Sequence, residues 1–218
     1  MFKRNGLSIV LVALFLLTMM GQVLTGWADH NADAQEHGQP PVALGGYLAS
    51  GHFWEATGEN WESEFLQMAL FVILTTFLYQ KGSAESKRVD TIEETELDPR
   101  RFAELDDAPW PVRRGGWVLV LYKNSLGIAF VVLFVISFAM HGLGGAREYN
   151  SEQAAHGQSA VTLSQYMTSA RFWFESFQNW QSEFLSLAAM VIGTIFLRQH
   201  GSAESKAVHA PHSETGKA

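Results

Sequence analysis

The chain has 218 residues, carries a formal net charge of −7 at pH 7 and contains no cysteine. The lack of cysteine excludes a disulfide framework and a thiolate metal site, and the acidic balance disfavours nucleic acid as a partner, which requires a basic face. The apolar residues are clumped into blocks, which is typical of a membrane protein and not of one soluble domain.

Two motifs occur twice, 119 residues apart. Asn-Trp-Glu-Ser-Glu-Phe-Leu at 60–66 returns as Asn-Trp-Gln-Ser-Glu-Phe-Leu at 179–185, and Gly-Ser-Ala-Glu-Ser-Lys occurs at 82–87 and 201–206. One offset aligns residues 1–87 with 120–206 without a gap, and about 37 of the 87 pairs are identical. The pattern predicts an internal repeat. The identical hexapeptides indicate either a partner-docking surface or chain ends that pack symmetrically.

Four apolar stretches have the length of about 20 residues that spans a bilayer. The first follows Lys3 and Arg4, as in a secretory signal peptide, but its repeat partner lies deep inside the chain. We therefore predict transmembrane helices at about 7–25, 61–80, 120–143 and 180–199.

The predicted fold class is an all-α membrane protein with four transmembrane helices. They form two tandem two-helix repeats, related by a pseudo-twofold axis along the membrane normal. The predicted segments are repeat 1 (1–87), an acidic cytoplasmic linker (88–116), repeat 2 (117–206) and a disordered tail (207–218).

The basic residues predict the orientation. Twelve Lys and Arg residues fall before the first helix, between the second and third, or at and after the end of the fourth, and Lys123 lies at the start of the third. Only Arg147 and Arg171 fall in the opposite loops. Both termini and the linker are therefore predicted to be cytoplasmic. Four tryptophans are predicted to form an aromatic belt at the outer interface: Trp54, Trp61, Trp173 and Trp180.

Two glutamates lie about one turn inside predicted membrane helices, where an ionised carboxylate is costly unless it is paired or hydrated. Helical spacing places each in a polar stripe, and two facing stripes would form a vestibule that holds a proton or a cation. The alternative is that each glutamate caps its own helix N-terminus. The stripes comprise Asn60, Glu64 and Thr75 in repeat 1, and Asn179, Glu183 and Thr194 in repeat 2.

His37 and His156 occupy equivalent loop positions and are weak candidates for a shared metal or proton site, since two imidazoles alone do not complete one. No nucleophile elbow, phosphate loop, zinc-protease motif or dinucleotide fingerprint occurs in the sequence. We therefore expect no catalytic residue and no cofactor.

The duplicated motifs and the entry Tyr122-Lys123-Asn124-Ser125-Leu126 resemble a family of uncharacterised bacterial membrane proteins, a domain of unknown function of about this length. The resemblance covers nearly the whole chain and implies a bacterial inner-membrane location. It supplies no activity.

Three functions follow as hypotheses. The first is a non-enzymatic structural, envelope-associated or stress-related component that forms homo-oligomers. The second is a small transporter or a proton or cation pathway through Glu64 and Glu183. The third is an accessory subunit of a larger membrane complex, associated with lipid or quinone.

Overall fold

The computed structural model describes residues 2–216, with side chains from Arg4 onward. This part of the chain forms eight α-helices and two short 3₁₀ turns, and it contains no strand, so the predicted all-α class is confirmed. The helices are α1 (Phe2–Glu36), α2 (Leu44–Leu48), α3 (Gly51–Leu74), α4 (Trp110–Arg114), α5 (Gly116–Lys123), α6 (Ser125–Ala155), α7 (Leu163–Met167) and α8 (Ala170–Phe196).

Two helices in residues 2–216 are long and apolar enough to cross a bilayer. They are Arg4–Glu36 of α1 and Ser125–Ala155, which is α6. Helices α3 and α8 have 24 and 27 residues, but their charged residues all lie in the N-terminal part, mixed with aromatic rings. Length and composition therefore support membrane association through α1 and α6, and crossing by α3 and α8 stays a prediction.

The ends of α3 and α8 differ from the predicted ones. Each helix begins about ten residues earlier, and α3 ends at Leu74, about six residues earlier than predicted. The early start has a local cause, since the hydroxyl of Ser50 accepts a hydrogen bond from the Phe53 amide (3.2 Å), and Ser169 does the same for Phe172 (3.3 Å). A serine in this position satisfies an amide that the first turn leaves without a partner.

The predicted third span is interrupted at its start. Asn124 has non-helical angles (φ −111°, ψ 4°) and separates α5 from α6. Asn5, which is 119 residues earlier, has similar angles (φ −130°, ψ 15°) and bends α1. The same residue type thus breaks the helix at equivalent positions of the chain.

The linker 88–116 contains short elements of local structure. It contains 3₁₀ turns at Glu94–Glu96 and Pro99–Phe102, followed by α4. Ion pairs hold its polar residues: the Lys87 ammonium lies 2.7 Å from the Glu96 carboxylate, and the Arg100 guanidinium binds Asp98 through both carboxylate oxygens. The Arg100 hydrogen bonds lower the pKa of Asp98 to about 2.

The segment after Lys206 also differs from the predicted disordered tail. The buried Lys206 ammonium donates to the carbonyl oxygens of Gly82 (2.5 Å) and Glu214 (2.8 Å), and at longer range to those of two residues between 207 and 214. The Gly82 amide donates to the Thr215 hydroxyl (2.8 Å). Residues 207–216 are therefore held against the first Gly-Ser-Ala-Glu-Ser-Lys copy, whereas residues 217 and 218 lie outside the described part of the chain.

The chain divides into two compact units. The first unit comprises residues up to Asn60 together with Ser137–Phe174, and the second comprises Trp61–Ile136 together with the chain from Glu175 onward. Each unit draws on both halves of the sequence.

Close backbone approach between α3 and α6 organises the first unit. A Cβ atom on Gly144 would lie 2.4 Å from the Glu55 amide nitrogen, and one on Gly58 would lie 2.4 Å from the His141 amide nitrogen. Small residues that let backbones touch are typical of helix packing in membranes. An aromatic and alanine cluster lies beside this contact, with Ala146, Tyr166 and Phe172 buried.

Local hydrogen bonds recur 119 residues apart. In the first unit, the Asn31 side chain bonds both the amide and the carbonyl of Val42, and Asn150 does the same with Val161. In the second unit, Ser86 accepts from the Gln80 amide (2.8 Å), and the equivalent Ser205 accepts from that of Gln199 (2.9 Å). These particular hydrogen bonds therefore recur at the offset of 119 residues.

Candidate functional site

The second unit places the α3 and α8 segments that carry Glu64 and Glu183 side by side. Gln67, one turn after Glu64 on α3, donates to the backbone carbonyl of Glu183 on α8 (2.8 Å) and to the Ser186 hydroxyl (3.3 Å). The Glu64 side chain is exposed and that of Glu183 is half-buried. The two helices are therefore neighbours at the level of the acids, and a shared site formed by the two carboxylates stays a prediction.

The helix-cap alternative for the two glutamates is wrong. Glu64 and Glu183 each lie 13 residues after the first residue of their helix, Gly51 and Ala170. The backbone amides there are already bonded within the helix, because only the first four amides of a helix lack an internal partner. The two carboxylates are therefore not stabilised by the amides of a helix N-terminus.

The remaining members of the predicted stripes have hydrogen-bond partners of their own. Asn60 and Asn179 each donate to a carbonyl four residues back in their own helix. The Thr75 hydroxyl also bonds back to its own helix, at the Phe71 carbonyl (2.8 Å). Thr194 is buried, and its hydroxyl lies 3.0 Å from that of Ser83 and accepts from the Ala84 amide. The Thr194 hydroxyl is therefore covered by the first Gly-Ser-Ala-Glu-Ser-Lys copy at 82–87.

A buried carboxylate that the sequence analysis did not select lies in the same unit. Glu62 is fully buried, and its Oε1 accepts a hydrogen bond from the Trp180 indole (3.0 Å). Trp180 also packs edge-on against Phe177 and Phe134. The tryptophan predicted for the aromatic belt therefore serves as a hydrogen-bond donor to α3.

The other predicted belt residues have less specific surroundings. Trp54 and Trp173 are both exposed by more than a third and pack edge-on against the preceding phenylalanine, Phe53 or Phe172. Trp61 is half-buried. These environments are typical of amphipathic rings at an interface.

The first unit contains two further sets of polar contacts, one at Glu55 and one around Tyr47. Glu55 is buried and accepts from the Tyr166 hydroxyl (3.0 Å). Tyr47 packs against the rings of His30 and His52, and the Glu148 carboxylate accepts from the His52 amide (2.9 Å). Burial, with the charges of Asp29 and Glu148 adding to it, raises the pKa of Tyr47.

The two loop histidines are bonded within their own helices. His37 Nδ1 lies 2.9 Å from the Asp33 carbonyl oxygen, and His156 Nδ1 lies 2.8 Å from that of Glu152. In residues 2–216, no group of three or more His, Asp or Glu side chains is arranged to hold a metal ion. The histidines act as local bonds at helix ends, and nothing in their geometry favours the metal site.

The spacing of small and acidic residues along α3 indicates that its buried acids share one face. Gly51, Glu55, Gly58 and Glu62 are spaced by four, three and four residues, which places them on one face of α3. Small and acidic residues alternate on that face, and Ala69 continues it as a buried residue.

Comparison with known proteins decides the family. The family described as Domain of unknown function (DUF6766) matches residues 1–217. The chain belongs to this DUF6766 family. No curated protein and no solved structure matches the chain.

Proposed function

We propose that this DUF6766 protein is a non-enzymatic, multi-pass protein of the bacterial inner membrane that takes up a proton or a small cation at Glu64 and Glu183. In the proposed topology α3 and α8 cross the bilayer together with α1 and α6. Both termini and the linker then face the cytoplasm.

The pairing of the two acids on neighbouring helix interiors carries the proposal. Gln67, one turn after Glu64 on α3, donates to the Glu183 carbonyl on α8, and neither acid is at a helix end. Two carboxylates that share one site cannot both stay ionised at low cost, so such a pair favours a shared proton or a bound cation. An acid inside a membrane helix is a functional-site candidate for the same reason.

Exposed apolar surface supports the four-helix topology. Large side chains such as Leu126 on α6 and Leu185 on α8 are exposed by more than half, and the same holds for much of α1. Continuous exposed apolar surface of this kind indicates contact with lipid or with another protein. After Glu64 and Glu183, the remaining residues of α3 and α8 carry no charge.

The proposed activity is binding, and not conduction. A conducting path would continue from the acids along Thr75 and Thr194, but Thr75 is bonded within α3 and Thr194 is closed off by Ser83. These contacts argue against the small-transporter hypothesis.

Thermal unfolding of the full-length protein tests the proposed site. The melting temperature of the wild type should rise as the pH falls or as a monovalent cation is added, because either relieves the repulsion between the two carboxylates. Glu64→Gln/Glu183→Gln should melt higher at pH 7 and lose most of that dependence. Gln67→Ala is the matched control, because it removes the neighbouring helix–helix hydrogen bonds and keeps both charges. Equal pH and cation responses in the wild type and the double variant would contradict the proposal.

A purely structural role is the second candidate, as a homo-oligomer or as an accessory subunit. The contacts of the two Gly-Ser-Ala-Glu-Ser-Lys copies favour it. Ser83 bonds to Thr194 and Lys206 bonds to the Gly82 carbonyl, so both motifs stabilise the fold. A protein that shows no proton or cation response and is recovered from native membranes in a defined complex would fit this candidate.

A further inference from the structure

Residues 110–123, which we name the α4–α5 surface, combine positive charge with exposed aromatic rings. Three basic side chains are exposed on it, those of Arg113, Arg114 and Lys123. The stretch contains no Asp or Glu. Its local charge is therefore opposite in sign to that of the chain as a whole.

The cations of the α4–α5 surface have no anionic partner within residues 2–216. None of the ion pairs or side-chain hydrogen bonds there involves Arg113, Arg114 or Lys123. In the neighbouring linker, Arg88 and Arg100 are paired with Glu93 and Asp98, and Lys87 just before it is paired with Glu96. Arg101 of the linker is exposed and makes no ion pair within residues 2–216, so α4 and α5 carry three of the four unpaired cations of residues 88–123.

Two tryptophans flank the arginines and expose most of their rings. Trp110 is 61% exposed and Trp117 is 77% exposed. An indole ring combines a large apolar body with one N–H donor, and such rings concentrate at the level of lipid headgroups.

The α4–α5 surface is packed against the rest of the second unit. Val112 on α4 and Leu119 on α5 are both buried in the second unit. Gly115 and Gly116 join the two helices with φ values of +67° and +59°, which only glycine adopts without strain. The exposed rings and cations are therefore held on a structured turn.

The surface also lies directly before a candidate membrane span. Helix α5 ends at Lys123, Asn124 breaks the helix, and Ser125–Ala155 follows. Basic residues next to the cytoplasmic end of a membrane helix attract anionic lipids.

We propose that the α4–α5 surface binds the phosphate headgroups of anionic phospholipids in the cytoplasmic leaflet. The inference rests on the proposed membrane topology. The exposed guanidinium groups of Arg113 and Arg114 offer paired N–H donors that match phosphate oxygens, and Trp110 and Trp117 enter the headgroup layer beside them.

Lipid titration of the full-length protein tests the inference. Detergent-solubilised protein is titrated with phosphatidylglycerol or phosphatidylcholine, and the bound lipid is counted by native mass spectrometry. A basic residue near an anionic surface contributes about 1 kcal/mol, which is about a fivefold change in affinity. Arg113→Gln/Arg114→Gln should therefore weaken phosphatidylglycerol binding about 25-fold and leave phosphatidylcholine binding unchanged.

Two matched variants separate charge from geometry and from folding. Arg100→Gln removes the same charge from a residue that Asp98 already neutralises, and it should bind phosphatidylglycerol as the wild type does. Arg113→Lys/Arg114→Lys keeps both charges and should retain most of the lipid preference.

The outcomes distinguish this inference from the proposed function. Equal phosphatidylglycerol affinity in the wild type and Arg113→Gln/Arg114→Gln would overturn the inference, as would an equal loss in Arg100→Gln. Release of the wild type from native membranes by alkaline carbonate would instead contradict the membrane topology itself. A protein that resists carbonate but lacks the lipid preference would refute only the headgroup site.

Discussion

The close contact between α3 and α6 predicts opposite effects for two glycine-to-alanine changes in one helix. Gly144 and Gly127 both lie in α6. A Cβ on Gly144 would lie 2.4 Å from the Glu55 amide nitrogen and 2.7 Å from the Trp54 carbonyl carbon, whereas one on Gly127 would be 3.6 Å from its nearest neighbour in Ile73.

The magnitude follows from these distances. Alanine in place of glycine inside a helix gains about 1 kcal/mol. Gly127→Ala should realise most of that gain. For Gly144→Ala, the new methyl group would collide with the backbone of α3, which must move away by about 1 Å. Overpacking of this kind should cost about 3 kcal/mol, the upper end of the usual range. The net loss for Gly144→Ala is then about 2 kcal/mol.

Thermal unfolding of the full-length variants in detergent, followed by circular dichroism, measures the difference. Gly144→Ala should melt about 4–8 °C lower than the wild type, at 2–4 °C per kcal/mol for a chain of this size. Gly127→Ala should melt at or above the wild-type temperature. Equal melting temperatures in the two variants would refute the backbone contact between α3 and α6.

Three further predictions concern the second unit. Glu62→Leu should cost about 1–3 kcal/mol because the half-buried Trp180 indole loses its acceptor, whereas Glu62→Gln should cost less than half as much; equal losses in unfolding experiments would contradict the bond. Lys206→Met should release the C-terminal segment, seen as faster carboxypeptidase digestion, and unchanged digestion would refute the contact. The Lys87 hydrogen bond lowers the pKa of Glu96 below its ordinary 4.5. The contribution of that ion pair is therefore complete above pH 4.5 and lost as the pH falls through the lowered value, so linker proteolysis should increase in that range in the wild type but not in Lys87→Met.

The helical class was accessible from the sequence, because apolar blocks of helical length predict it. The common offset of 119 residues also predicts that Glu64 and Glu183 lie at the same depth of their helices, and each acid does lie 13 residues after the start of its helix. The pairing of their carboxylates stays a prediction. The starts of α3 and α8 lie about ten residues before the apolar runs that predict these helices, and Ser50 and Ser169 mark them, since serine before a helical turn is a recognisable cap signal.

The buried acids were missed for a different physical reason. Glu55 and Glu62 have no acidic counterpart in the second copy, where Phe174 and Gln181 stand at the equivalent positions. The internal repeat points to duplicated residues, and Glu55 and Glu62 are not duplicated. Their partners, such as Tyr166 for Glu55, are 111 residues away in sequence and require the tertiary structure.

The order of residues 88–116 and 207–216 could not be predicted from composition. Both segments are polar and poor in large apolar residues, which usually indicates disorder. They are held by individual contacts, such as Lys87 with Glu96 and Lys206 with backbone carbonyls, which a composition average does not report.

The number and direction of membrane crossings is the most direct test of the account. The protein has no cysteine, so single cysteines at Gln39, Glu104 and Ser159 can be labelled without background. In intact cells, a membrane-impermeant maleimide should label Gln39→Cys and Ser159→Cys but reach Glu104→Cys only after permeabilisation. Labelling of Gln39→Cys and Glu104→Cys from the same side would show that α3 does not cross, and would contradict the four-helix membrane topology.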